Sequence, residues 1–284
     1  MKATGPDSVF FPGEIVGDCV LQTVLRIRER REVWAAFDRK RQCRAVMKFI
    51  RRDHPRAAAL PQLAEFLAHT ACRRLVRLWA VPEVVGWFAA EMEYLSGGSL
   101  SRRLKRMHRL TLGQAVWVMR ETLTALAELH RNGIVHRDLK PGNIWFSAAG
   151  ELRVGDLEIA KTTSVPEVGP AVFGTPSAMS PEQTIDTTAV DARSDFFSLA
   201  SLVCESLTGR PRFPRAGLVE TARLIRAGRP EEMMRDLREF APPDLSRLLG
   251  WMAAAHRMER PSDAATILNE LERFRLPCEP LLPE

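Results

Sequence analysis

Three short stretches of this chain gather residue types able to do chemistry. Residues 136–143 read HRDLKPGN and place a carboxylate, an ammonium and an amide (Asp138, Lys140, Asn143) close together. GDLE at 155–158 adds Asp156, thirteen positions after Asn143, and AVMK at 45–48 ends on Lys48. Carboxylate and amide oxygens are hard ligands for a small divalent cation, a carboxylate can accept a proton, and an ammonium is a compact charge for an anion. Taken singly, an Asp or Asn in a loop is more ordinarily a turn or cap residue. The lysines carry more weight, because lysine occurs only at 2, 40, 48, 105, 140 and 161 and the other 35 of 41 basic residues are arginine.

These residues need two kinds of scaffold. CVLQTVL, EVWAAF and RAVMKFI alternate as strands do, and LVRLWAV and WFAAEMEY supply two more short strands. A helix fits about Pro61 to Cys72, with Leu63, Phe66, Leu67 and Thr70 on one face. After SGGS the periodicity turns helical through LSRRLKRM, LGQAVWVMRETLTALAELHRN, DFFSLASLVCESLTG, LVETARLIRAG, DLSRLLGWMAAAH and SDAATILNELERF. Asn132-Gly133 closes the second of these. The pattern gives an α+β chain: an extension over 1–18, a strand lobe over 19–93, a helical lobe over 94–276 and an irregular tail over 277–284.

HRDLKPGN resembles the catalytic loop of the eukaryotic-like (bacterial Hanks-type) serine/threonine protein kinases, H-R-D-x-x-x-x-N. Further motifs follow in that family's order: AVMK, GDLE in place of D-F-G, GTPSAMSPE at 174–182, RSDFFSLA at 193–200 and ERPS at 259–262. The resemblance spans roughly residues 19–275 and implies a bilobal protein kinase-like fold with ATP and Mg²⁺ as cofactors. It implies that Asp138 accepts the proton of a substrate hydroxyl and Lys140 attends the γ-phosphate. Lys48 then holds the α- and β-phosphates, and Asn143 and Asp156 bind the metal. Val33, Val46, Glu93, Leu95 and Trp145 fall where that family holds adenine, with Met92 behind the hinge at Glu93–Leu95. Glu182 and Arg260 are implied as a buried ion pair and Asp195 as the anchor of the catalytic loop. Leu67, Leu78, His136 and Leu157 are implied as an apolar column. Thr162, Thr163 and Ser164 lie where an activating phosphate goes in that family, although an unmodified polar loop reads equally well.

The chain departs from the pattern around the nucleotide. Counting back from Val33, the three glycines of G-x-G-x-x-G-x-V fall on Arg26, Arg28 and Arg31, within RIRERREVW. One reading is a solvated hairpin that no longer grips phosphate. The other is that the guanidinium groups replace the backbone donors by charge. Trp145 stands where a leucine is usual, and Glu158 replaces the last residue of D-F-G. The helix glutamate that should pair with Lys48 falls on Leu63, with Glu65 the nearest acid.

Bulk properties narrow the classes. No stretch approaches the roughly 18 apolar residues of a membrane span, and MKATGPDSVFFPGE lacks a leader's apolar run, so a cytoplasmic chain is expected. Five scattered cysteines without a CxxC pair point to neither zinc nor disulfides. A net charge of +6 suits acidic or phosphate-bearing partners without indicating nucleic acid. The expected partners are a protein substrate or a signalling protein. Three activities compete: transfer of the ATP γ-phosphate to a protein Ser/Thr hydroxyl, a pseudokinase scaffold without transfer, and small-molecule phosphotransfer. GTPSAMSPE and Lys140 weigh against the last.

Overall fold

A computed structural model of the chain describes residues 8–54, 57–157, 160–162, 175–186, 190–213, 217–228 and 230–283. Glu158, Thr163, Ser164 and Gly174 lie outside the described residues. The chain divides into two compact units, Met1–Ser96 and Gly97–Glu284.

The first unit is a seven-stranded antiparallel sheet with one α-helix. Its strands are β1 (Ile15–Val16), β2 (Cys19–Arg28), β3 (Arg31–Asp38), β4 (Cys43–Arg51), β5 (Leu78–Ala80), β6 (Glu83–Val84) and β7 (Trp87–Glu93), ordered β1-β2-β3-β4-β7-β5 with β6 also on β7. Period-two alternation sorts the two faces. One carries Cys19, Leu21, Trp34, Ala36, Ala45, Met47, Phe49 and Ala89 into a buried cluster. The opposite face meets helix α1 (Leu60–His69), where Ala64 packs with Leu78 and Ala90 and where Leu67, Phe88 and Met92 also lie. The helix ends earlier than its apolar pattern suggested, because Thr70 turns to an extended conformation and its hydroxyl accepts the Cys72 N–H.

The segment before Cys19 packs onto the sheet. Phe10 stacks on Phe49 with centroids 3.9 Å apart and meets Trp87 edge-on at 5.3 Å. The buried Glu32 carboxylate fastens this strap, accepting the Ser8 hydroxyl (2.7 Å), the Val9 N–H (2.8 Å) and the Trp34 indole N–H (2.9 Å).

A second buried acid group occupies the same face. Asp38 accepts the N–H groups of Lys40 and Arg41, while Arg41 Nη1 donates to Asp38 Oδ2 at 2.7 Å and to Glu91 Oε1 at 3.1 Å. The Arg41 guanidinium also covers the Trp79 ring at 5.1 Å. Burial and the neighbouring Asp38 push the Glu91 carboxyl up to about 7. Burial acts the same way on Asp38, but its bonds from Arg41 and Lys40 outweigh it and hold that carboxyl down to about 2. Burial and both carboxylates push the Cys19 thiol up to about 12.

The second unit is mainly helical. Helices α2 (Leu100–Met107), α3 (Leu112–Arg131), α4 (Ala192–Thr208), α5 (Leu218–Ala227), α6 (Pro230–Asp236), α7 (Pro243–Met252) and α8 (Ala264–Arg273) surround two small antiparallel ribbons. One ribbon pairs β8 (Ile134–Val135) with β11 (Lys161–Thr162), the other β9 (Ile144–Phe146) with β10 (Leu152–Val154). Thr111 and Gln114 form a capping box at the start of α3, and Gly133 follows its end at φ +68°. Helix α4 is buried along almost its whole length, which explains its continuous run of Phe, Leu, Ala, Val and Ser. The tail after α8 is irregular but docked. Leu281 is buried, and Glu279 donates its N–H to the Gly113 carbonyl.

The Glu91 group gives a signed pH dependence. Glu91 titrates near 7 when folded and near 4.5 when unfolded, so the folded chain binds the extra proton between those values. Its contribution to stability therefore falls as pH rises from 4.5 to 7. Replacing Glu91 by Gln should remove on the order of 1–2 kcal/mol of that fall, read as a flatter curve of urea-unfolding free energy against pH.

Candidate active site

The loop 136–143 is held from beneath by one carboxylate. Asp195, in the first turn of α4, is fully buried. It accepts the backbone N–H groups of His136 and Arg137, each at 2.9 Å, and lies 2.8 Å from His130 Nε2. Burial alone would raise its pKa, but the bond from His130 and the backbone bond from Arg137 keep it below the ordinary range. Arg137 takes a left-handed backbone, φ +66°, and its carbonyl accepts the Gln183 side-chain amide at 2.8 Å. The other end of that amide accepts the Ser180 N–H at 2.9 Å.

His136 passes the constraint to the next motif. Its Nδ1 accepts the Asp138 N–H at 3.2 Å, so Nε2 carries the proton and donates to the Gly155 carbonyl at 3.0 Å. Gly155 N–H in turn donates to the Asn143 carbonyl at 2.9 Å. Asp156 follows Gly155 with a left-handed backbone, φ +63°.

The Asp138 carboxylate is the centre of the group. Oδ2 receives Lys140 Nζ at 2.5 Å and Asn143 Nδ2 at 3.0 Å; Oδ1 receives the Thr175 N–H at 3.0 Å. Lys140 also bonds the Thr175 hydroxyl. Asn143 Nδ2 is shared with the Asp138 carbonyl at 2.8 Å, which leaves its amide oxygen as the atom suited to a cation. A carboxylate from Asp156 and an amide oxygen from Asn143 fit a hard divalent cation that takes its other ligands from water or phosphate. Among the described residues no group of three His, Cys, Asp or Glu side chains could hold a metal unaided.

Glu182 and Arg260 meet as a bidentate pair, at 2.7 and 2.8 Å. Ser194 donates to Glu182 at 2.5 Å, and the Arg260 guanidinium also donates to the Ala254 and Arg193 carbonyls. Burial opposes ionisation of Glu182, but Arg260 and Ser194 hold its carboxyl below the usual range. Trp145 stands in β9 opposite Arg153, half-buried, and by strand alternation faces away from the buried Ile144 and Phe146. Its strand is bridged to Ser99. Arg103, 1% exposed, ties this corner together: it donates to the Leu282 and Gly97 carbonyls at 2.8 and 3.3 Å and stacks on Phe146 at 3.9 Å.

The remaining predicted residues belong to the sheet unit. Lys48 is half-buried in β4 between Val33 and Ala90, and Val46 lies between Ala35 and Met92. Arg26, Arg28 and Arg31 form part of the hairpin and share the Lys48 face. Glu93 ends β7 with its carboxylate on the Arg77 N–H (2.9 Å), and Leu95 follows, half-buried. Leu63 is buried in α1, whereas Glu65 is exposed. Of the expected set, the structure therefore brings together Asp138, Lys140 and Asn143 with Thr175, and joins the Asn143 carbonyl to the N–H of Gly155, the residue before Asp156.

Residues 30–271 match the protein kinase domain family. The chain belongs to it. Its α+β, bilobal fold is that of a protein kinase. The serine/threonine-protein kinase PknD of Mycobacterium tuberculosis (strain CDC 1551 / Oshkosh) is 35% identical over 203 residues, covering 69% of this chain and 30% of that protein. PknB of Mycobacterium leprae (strain TN) is 40% identical over 126 residues, 43% of this chain and 20% of that kinase. PknB of Mycobacterium tuberculosis (strain ATCC 25618 / H37Rv) is 36% identical over 168 residues, 57% and 26%. The chain thus spans less than a third of the length of these relatives.

Sequence reading did not single out three contributors. Gln183 and Arg103 bind backbone carbonyls, and His130 binds an aspartate 65 residues away. Only Gln183, adjoining Glu182, carried a positional hint. Replacing Arg260 by Ala should cost about 3–5 kcal/mol, because it strands the Glu182 carboxylate. The loss should shrink in acid, since a depressed carboxyl contributes stability above its unfolded pKa and loses it as pH falls. Urea unfolding of wild type and variant at pH 7 and pH 4 reads both effects.

Proposed function

We propose that this chain transfers the γ-phosphate of ATP to a serine or threonine hydroxyl of a protein, with Mg²⁺. The observation that carries this reading is the Asp138 carboxylate, bonded to Lys140, Asn143 and the Thr175 N–H. Those bonds fix its orientation, so one carboxylate oxygen can take the hydroxyl proton as the new P–O bond forms and the bond from the γ-phosphorus to the β–γ bridging oxygen breaks, ADP leaving with that oxygen. Lys140 supplies a positive charge beside it to offset the charge of the transferring group. Thr175 fits a hydroxyl substrate, because its backbone and side chain both belong to this group. Lys48 holds the α- and β-phosphates, while Val33, Val46, Glu93, Leu95 and Trp145 hold the adenine. Mg²⁺, held by Asn143 and Asp156, supplies charge neutralisation on the phosphates when bound. No helix among the described residues is long and apolar enough to cross a membrane; we infer a cytoplasmic chain acting on a protein substrate or signalling partner.

A second reading has its own support. Counting along the sequence puts Leu63 at the lysine-pairing acid, with Glu65 the nearest carboxylate, and arginines at the glycines of the phosphate loop. A chain so altered can keep the fold as a scaffold without transfer. Radiolabelled ATP-Mg²⁺ with a generic basic protein separates the two. The kinase reading expects incorporation into the protein or the chain itself, lost by at least two orders of magnitude in Asp138→Asn. Absence of incorporation at high enzyme and millimolar ATP leaves the scaffold.

A further inference from the structure

The arginine hairpin is charge-sorted. In β2 and β3, Arg28 stands directly opposite Arg31, and Arg26 opposite Val33. Val33 in turn stands opposite Lys48, and Arg31 opposite Ile50. Cross-strand partners share a face, so Arg26, Arg28, Arg31 and Lys48 all project from one side of the sheet. The acids of β3 and β7 take the other side: Glu32, Asp38, Glu91 and Glu93 alternate with Val33, Phe37, Ala90 and Met92. The acids at the hairpin's ends are engaged elsewhere, Glu29 with Arg30 at 3.7 Å and Asp53 with Arg51 at 3.0 Å.

The β2–β3 pairing slips first between Leu21 and Thr23, which moves Val24 onto the face of Trp34. The β2–β3 register shifts again between Val24 and Arg26, where Leu25 is the extra residue. Val24 packs against the buried cluster on the far face. This second shift offsets the first, so Arg26 and Arg28 stand on the face opposite Leu21. The arrangement also opposes local preference. Arg30 adopts φ +60° at a turn position where glycine or asparagine is favoured, and like charges directly opposite each other weaken a sheet. Arg26 and Arg28 are nonetheless exposed. A face that gathers several cations is suited to a compact polyanion.

We propose that Arg26, Arg28 and Arg31, with Lys48, form a polyphosphate-binding face that grips its ligand by side-chain charge instead of by the backbone amides of a glycine loop. The proposal deepens the kinase reading and rests on it only for the nucleotide as the carrier of that polyphosphate. Guanidinium groups bind phosphate oxygens bidentately, so affinity should climb with the number of phosphates and fall steeply with salt.

The test is calorimetric titration with AMP, ADP, ATP and inorganic tripolyphosphate at low and high salt. Wild type is compared with the triple variant Arg26→Gln, Arg28→Gln, Arg31→Gln. The expected result is at least a tenfold loss of tripolyphosphate and ATP affinity in the variant, with AMP unchanged. A triple lysine variant should retain most of the binding, and it keeps the test open should the glutamine variant fold poorly. Equal tripolyphosphate affinity in wild type and glutamine variant overturns the proposal. So does absence of tripolyphosphate binding by wild type, or tighter binding of poly-glutamate than of tripolyphosphate. Phosphate transfer with an unchanged KM for ATP in the variant sinks this proposal and spares the kinase reading. Arginine-dependent polyphosphate binding without any transfer does the reverse.

Discussion

The helical unit is organised around one buried negative charge. The Asp195 carboxylate has left water completely, and that is tolerable only because three donors replace the lost solvent. Two of them are consecutive backbone N–H groups of the 136–143 loop, so satisfying the aspartate and shaping the loop are the same event. The left-handed backbone at Arg137 follows from this demand, and Gln183 secures the carbonyl that the turn exposes. From there the constraint runs through the His136 ring to Gly155 and Asn143, without crossing solvent. Asp138 owes its aim to a residue 57 positions later in the chain.

The two units solve their polar burial differently. In the helical unit, buried charges are paired or bonded to backbone, as Glu182 with Arg260 and Arg103 with two carbonyls. In the sheet unit the acids are gathered on one face, where Glu32 binds the N-terminal strap and Glu91 shares Arg41 with Asp38. One arginine between two carboxylates cannot fully compensate both, so one of them, Glu91, holds its proton toward neutral pH. Gathering acids there leaves the opposite face cationic.

Much of this was legible in the sequence because it is local. The strands β2, β3, β4 and β7 carry clean alternation, and α3 announces both its capping box and its terminal glycine. Asp138, Lys140 and Asn143 lie within one short motif, so their meeting needs no long-range folding argument. Strands of two or three residues, such as β8 to β11, are too short for any periodicity, and α6 is a single stretch of seven residues. The two slips in β2 were hidden because CVLQTVL reads as straight alternation; they exchange the faces of Thr23 and Val24 and leave Arg26 on the side that alternation gives it. Gln183, His130 and Arg103 act by accepting or donating to groups far along the chain, and amino-acid type alone does not name such partners.

The N-terminal strap bears on how this fold can be divided. Family similarity begins at residue 30, inside the turn of the first hairpin. A fragment cut there would lose β1, β2 and Phe10 together. It would turn β3 into a bare sheet margin, with Trp34, Met47 and Phe49 uncovered and a row of amide and carbonyl groups open to any passing strand. The segment that covers this face therefore reaches back to Ser8, more than twenty residues ahead of where the family match starts.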